Sequence, residues 1–271
     1  MSNEKRMLGD GGIFERERIQ MQVYNYTKHK FPEENYLKTF GLHHYRYPTN
    51  MQSEGIVFFF HDQSKYCGKY AYIAEMMAQK GLEVVGFDLP GHGHNQDQPR
   101  GYFGTYDDVE RYSHEFIEQT IKKLDYENKP KFAIGVSTGS LTCLHLAMER
   151  ERFFNGINVV NPLLKNEGVH PRFYKYCDFL GKVRPKLKMM KIDLQSLQPF
   201  EDPLMLKGSL RAGLFKELDD MSYFIRNNAS KITTPLLVAH GGIDTITTPK
   251  VVRKFFEKVV TQDKDIILYD D

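Results

Sequence analysis

From about residue 55 onward the chain alternates short apolar runs with longer stretches of helical spacing. Ile56-Val57-Phe58-Phe59-Phe60 is apolar at every position and is bounded by Gly55 and by His61-Asp62. A run apolar on both faces fits a parallel strand buried inside a sheet. Residues 68–80 follow with Tyr72, Ile73, Met76 and Met77 at helical spacing. Leu82–Phe87, Phe132–Val136, Ile157–Val160, Leu236–Ala239 and Ile266–Tyr269 repeat the strand pattern. Residues 106–124, 141–150 and 249–260 repeat the helical one. Strands alternating with helices predict βαβ units, an α/β fold with a mostly parallel sheet and helices on both faces. Such sheets bind their ligands at the C-terminal ends of the strands.

Residues 163–225 break the rhythm. They hold no clear buried strand and are too long for a simple loop, so they predict an inserted helical cap. The first part of the cap is basic, with Lys165, Arg172, Lys175, Lys182, Arg184, Lys186, Lys188 and Lys191. Phe173, Tyr174, Tyr176 and Phe179 are interleaved with these charges. The domain reading is a leader and first strand region over 1–34, the α/β core over 35–162, cap over 163–225 and core again over 226–271. Within the leader, residues 1–12 carry Gly9, Gly11 and Gly12 and read as loose chain.

Composition changes this picture little. The 271 residues carry a net charge of +2, so nothing demands nucleic acid as a partner. Three cysteines, Cys67, Cys143 and Cys177, form no C-x-x-C pair and suit a reducing compartment. His92 and His94 lack companions at ligand spacing, so neither a metal nor a cofactor is expected, and Gly91-His92-Gly93 reads as a tight turn at the cleft edge. The polar N-terminus has no signal-peptide core, and no apolar run is long enough to span a bilayer. The reading is a cytosolic protein, with peripheral membrane contact through the cap left open and no expectation about oligomeric state.

The chemistry sits in Gly135-Val136-Ser137-Thr138-Gly139, which fits G-x-S-x-G between a strand and a helix. A serine hydroxyl is a poor nucleophile unless a base takes its proton. A sharp strand-to-helix turn exposes that hydroxyl, and Gly135 and Gly139 let strand and helix pass without a Cβ clash. The helix that begins after Ser137 aims backbone N–H groups at the place where an oxyanion would form.

Three further segments carry a resemblance. Residues 61–70, His-Asp-Gln-Ser-Lys-Tyr-Cys-Gly-Lys-Tyr, resemble the H-G-x-x-E-H-S-x-R-Y loop of the monoglyceride lipase and lysophospholipase group of α/β-hydrolases, which overlaps the serine aminopeptidase S33-like family. Asp88-Leu89-Pro90-Gly91-His92-Gly93-His94 resembles its D-x-x-G-H-G-x-S. Asp202-Pro203-Leu204 with Arg211-Ala212-Gly213-Leu214 resembles a signature of its cap. The resemblance implies an α/β-hydrolase fold and cleavage of acyl esters of the monoacylglycerol or lysophospholipid kind. It implies the backbone N–H groups of Gln63 and Thr138 as the oxyanion hole, and Asp244, in the turn after Leu236–Ala239, as the acid of a Ser–His–Asp triad.

The departures are specific. Asp62 stands where the family has Gly, Ser64 replaces a later loop Gly, Val136 replaces the usual His, and Ser140 replaces the Gly after the motif. A carboxylate turned toward an oxyanion hole would oppose the developing charge, so Asp62 is expected to point away. His240 reads as a structural histidine. The triad histidine is implied a few residues beyond Asp271, and none of the ten histidines occupies that position. A fragment, lacking a closing helix over the last strand, is the expectation; a shortened, catalytically crippled protein is the alternative. A non-catalytic binding protein on this scaffold, or a thioesterase, acyltransferase or aminopeptidase with the same triad, also stays open.

Overall fold

The structure, a computed structural model, describes residues 33–168, 170–193 and 202–270. The reading of residues 1–12 lies outside them. The strands are β1 Glu33–Glu34, β2 His44–Tyr47, β3 Gly55–Phe60, β4 Leu82–Phe87, β5 Lys131–Val136, β6 Gly156–Val160, β7 Lys188–Asp193, β8 Lys207–Arg211, β9 Leu236–Gly241 and β10 Lys264–Tyr269. Eight of them form one sheet in the order β1-β2-β4-β3-β5-β6-β9-β10. The six strands from β4 to β10 in that order run parallel, and β2 and β1 are antiparallel additions at one edge.

β3 is buried along its whole length because it is sandwiched on both faces. Ile56, Phe58 and Phe60 point into the larger core and Val57 and Phe59 into a smaller one. Full burial of each such side chain stabilises by roughly 1.5–3 kcal/mol. Phe58 is in register with Val85 on β4 and Ala133 on β5, so the middle of the sheet is apolar across three strands.

Helices α1 Ala71–Ala78, α2 Tyr106–Leu124, α3 Gly139–Glu149 and α6 Pro249–Lys258 flank this sheet. Phe116 and Ile117 of α2, Leu141 and Leu144 of α3 and Phe255 of α6 pack on one face, and Ala71 and Ala74 of α1 on the other. The start of α2 is set by local chemistry. Thr105 and Asp108 form a reciprocal capping box, Asp107 adds a second acid to the first turn, and Lys122 and Lys123 close the last.

The α1 face is covered unequally. Phe132, Ile134 and Leu237 line an open trough of about 600 Å³, and Ile267 and Tyr269 of β10 are exposed.

One expectation is corrected. The cap is not purely helical. α4 Pro171–Val183 and α5 Ala212–Asn227 are joined by a two-stranded antiparallel sheet of β7 and β8, with Lys188 opposite Arg211. Neither strand carries the apolar run that marks the central sheet, and each finds its partner far along the chain. Pairing satisfies backbone groups that a loop would leave to solvent.

Candidate active site

β5 delivers Ser137 at the C-terminal edge of the sheet, where Val136 is in register with Val160 of β6. Ser137 has φ of 51°, a left-handed conformation that costs a non-glycine residue about 1–2 kcal/mol. The fold over-determines it. The Ser137 N–H donates to Val160 O at 2.8 Å, and its carbonyl accepts from Ser140 N at 3.1 Å and Leu163 N at 3.2 Å. A Cβ on Gly135 would stand 2.5 Å from Gly139 O, and one on Gly139 2.2 Å from Phe60 O. Both glycines are therefore steric requirements of the elbow. Ser140, the departure after the motif, is buried and donates its hydroxyl to Gly135 O at 2.7 Å, tying helix back to strand.

The loop after β3 lies beside this turn, and Asp62 is its organiser. Oδ1 accepts from Ser64 N, Ser64 Oγ and Lys65 N at 2.7–3.0 Å. Oδ2 accepts from Tyr70 OH at 2.6 Å and pairs with Lys65 Nζ at 3.1 Å. Burial alone would raise this carboxyl, but Lys65 and the Tyr70 and Ser64 donors outweigh it and hold the group well below the usual carboxylate range. The charge is thus paired within its own loop, although Asp62 still lines the cavity that holds Ser137.

Two buried histidines hold the other side of the loop. His61 donates from Nδ1 to Asp62 O at 2.7 Å and accepts from Leu89 N–H at Nε2, 2.9 Å. That pattern requires the neutral ring, and burial lowers its basicity accordingly. Asp62 O belongs to the peptide unit whose N–H is that of Gln63, so His61 fixes the direction of that N–H. His92 faces Pro90 O at 2.9 Å and Gln63 O at 2.8 Å, and burial pushes its pKa down to about 3. A neutral imidazole donates to only one of these carbonyls at a time. Gly91 and Gly93 flank it with positive φ, in the tight turn expected there. Neither role was legible in the sequence, although a histidine directly after an apolar strand was a signal for the first.

A cavity of about 260 Å³ opens at this edge, walled by Gln63, Ser64, Ser137 and Thr138 on the polar side. Leu163, Leu206, Leu210, Leu214, Phe215 and Leu218 form its apolar side. Thr138 Oγ1 and Gln63 Oε1 are buried without a hydrogen-bond partner among the described residues. The cap is anchored to the loop at the cavity rim: Leu206 N donates to Ser64 O at 2.8 Å, and Asp202 pairs with Lys69 at 3.0 Å and accepts from Tyr66 OH. Burial pushes the Asp219 carboxyl in the cavity wall upward, against the pull of Arg226.

Asp244 lies in the turn after β9 and does not line the cavity, although Ile246 does. Its Oδ1 accepts from Ile246 N at 2.7 Å and Thr247 N at 3.1 Å. It does not cap α6, whose N-cap position is Thr248. β10 lies directly beside this turn, with Tyr269 opposite Gly241. His240 is buried and bonded to Thr247 O at 2.9 Å, a structural histidine. Among the described residues no histidine hydrogen-bonds Ser137.

The family described as serine aminopeptidase, S33 matches residues 51–271. The chain belongs to this S33 hydrolase family. Among S33-like relatives, mouse monoglyceride lipase is 25% identical over 231 residues, covering 80% of this chain and 74% of that protein. Arabidopsis thaliana caffeoylshikimate esterase is 25% identical over 238 residues, covering 82% and 71%. The crystal structure of Paleococcus ferrophilus monoacylglycerol lipase has a TM-score of 0.72 and 26% identity, covering 84% of this chain and 88% of that one. A soluble variant of the Saccharomyces cerevisiae monoglyceride lipase reaches a TM-score of 0.76 at 20% identity, covering 90% and 87%. The α/β-hydrolase fold that the resemblance implied is the fold of this S33 chain.

Proposed function

We propose that the protein is a serine ester hydrolase that cleaves monoacylglycerol- or lysophospholipid-like esters through an acyl-enzyme on Ser137. The observation that carries this reading is the strained, over-determined Ser137 turn opening onto one cavity with a polar and an apolar wall. Ser137 Oγ attacks the ester carbonyl carbon as its proton passes to a base. The Gln63 and Thr138 N–H groups hold the oxyanion, collapse expels the alcohol with that proton, and water then frees the fatty acid. The leucine-rich wall takes the acyl chain. The unpartnered Thr138 hydroxyl and Gln63 oxygen leave hydrogen-bonding capacity beside Ser137 for a polar head. Asp244 supplies the acid that orients the base in a Ser–His–Asp arrangement.

The cap also supports contact with a lipid surface. Tyr176, Phe179 and Val183 are exposed on one side of α4, among Lys175 and Lys182. No helix of the described residues is long and apolar enough to cross a membrane.

A fluorophosphonate probe on the purified protein tests the chemistry. Labelling is expected, with loss in Ser137→Ala and slowing in Asp244→Asn; labelling that survives Ser137→Ala overturns the assignment.

A further inference from the structure

Away from the Ser137 cavity, α2 and α3 each present an acid and a histidine four residues apart. These are Glu110 and His114 on α2, and His145 and Glu149 on α3. Residues at this spacing stack on one helix face, and the two helices pack so that the pairs meet. One ligand atom each from Glu110, His145 and Glu149 lies within 4.8 Å of the other two. We propose that this notch between α2 and α3 binds one divalent transition-metal ion of the zinc type, through Glu110, His145 and Glu149.

The distances are the main reason. His145 Nδ1 stands 3.7 Å from Glu110 Oε2, and its Nε2 stands 3.8 Å from Glu149 Oε1. Both are too long for good hydrogen bonds. One ring nitrogen can serve a given ion, so only one of these edges is used directly, and its length is near the separation of two ligands on one tetrahedral ion, about 3.3–3.6 Å for bonds of about 2.0–2.2 Å. His145 is 9% exposed, and its ring is held edge-on by Tyr106 and Phe224. A largely buried imidazole with a carboxylate beyond good hydrogen-bond distance of each ring nitrogen leaves room for an ion at one of them, with the third ligand atom within 4.8 Å.

The electrostatics agree. Glu110 and Glu149 bring two carboxylates together across the two helices. Carboxylates this close gain when a cation sits between them. Asp107 adds further negative potential at this point. The Arg150 guanidinium, next to Glu149 in the chain, pairs with Glu118 at 2.6 Å. His114 Nε2 lies 3.1 Å from Glu149 Oε2, where it orients that carboxylate from behind. One imidazole with two carboxylates, and a fourth position open to water, suits zinc, cobalt or manganese. It offers too few oxygens for calcium, and too little room for magnesium with its waters. The ion would clasp α2 to α3, the helix that begins at the elbow.

Calorimetric titration of chelator-treated protein with zinc chloride tests this. One ion per chain is expected, with a melting temperature that rises with free zinc. The double variant Glu110→Gln, Glu149→Gln should weaken binding at least tenfold while melting in chelator no earlier than the native protein, because it removes a like-charge pair. His114→Ala should weaken binding less. His94→Ala, at the His43–His94 contact elsewhere on the surface, should leave stoichiometry and affinity unchanged. No zinc binding by the native protein, binding that persists in the double variant, binding lost in His94→Ala, or equal binding of magnesium and calcium would each overturn the proposal.

Discussion

Replacing Gly139 by Ala is a single-methyl test of how the elbow is built. The backbone at Gly139 is ordinary helix, so Ala is conformationally welcome and would add up to about 1 kcal/mol of helix propensity. The methyl, however, would lie 2.2 Å from Phe60 O and 2.6 Å from His61 O. Ordinary contact begins near 3.4 Å, so the gap is short by 1.2 Å (3.4 less 2.2). Both obstacles are backbone atoms at the end of β3, in register with Gly135, and no side-chain rotation relieves them. Overpacking of this kind costs about 1–3 kcal/mol, and a backbone obstacle places it at or above the upper end. The net loss expected is therefore about 2–3 kcal/mol. The same displacement, roughly 1 Å between Ser137 and the Asp62–Gln63 peptide, should slow reaction at Ser137 by about 10²-fold. Urea midpoints and fluorophosphonate labelling rates measure the two effects. Gly41→Ala, where a Cβ would meet nothing within 4 Å, is the matched control. If Gly139→Ala unfolds within about 0.5 kcal/mol of the native protein and reacts at the native rate, the steric account of the elbow is wrong.

The other predictions concern the same edge of the sheet. Ser137→Gly should abolish labelling yet stabilise by about 0.5–1 kcal/mol, since relief of about 1–2 kcal/mol of strain exceeds the greater freedom of glycine in the unfolded chain; a destabilised variant in thermal melts would count against the strain. His61→Ala should orphan Asp62 O and Leu89 N–H, at about 1–3 kcal/mol each, and lower kcat with little change in KM, because a misdirected Gln63 N–H weakens only the oxyanion; a change confined to KM contradicts this. Asp62 is depressed in the folded state, so its contribution is fully present above about pH 4 and is lost as pH falls below that value. Asp62→Asn should remove this acid-sensitive component, and identical urea midpoint profiles from pH 6 to pH 3 in the two proteins would refute the pairing.

Much of the fold was legible because its signals are local. β3 is apolar at consecutive positions, α2 carries its capping box and end charges in sequence, and Gly135 and Gly139 flank a serine at a strand-to-helix junction. Periodicity, capping and turn sterics act over a few residues, so reading along the chain recovers them. β7 and β8 escaped because a strand without an apolar run is defined by its partner, and that partner is distant.

By itself, then, the sequence determined the strands and helices of the core from β3 onward, the elbow and the side chain it exposes. The tertiary structure alone decided that Asp62 spends its charge on Lys65, Ser64 and Tyr70, and that His61 and His92 brace the Asp62 and Gln63 carbonyls. It also brought two helical Glu/His pairs face to face across α2 and α3. Each of these is a polar group removed from water, whose state depends on which atoms surround it in space, and spacing along one chain does not encode that.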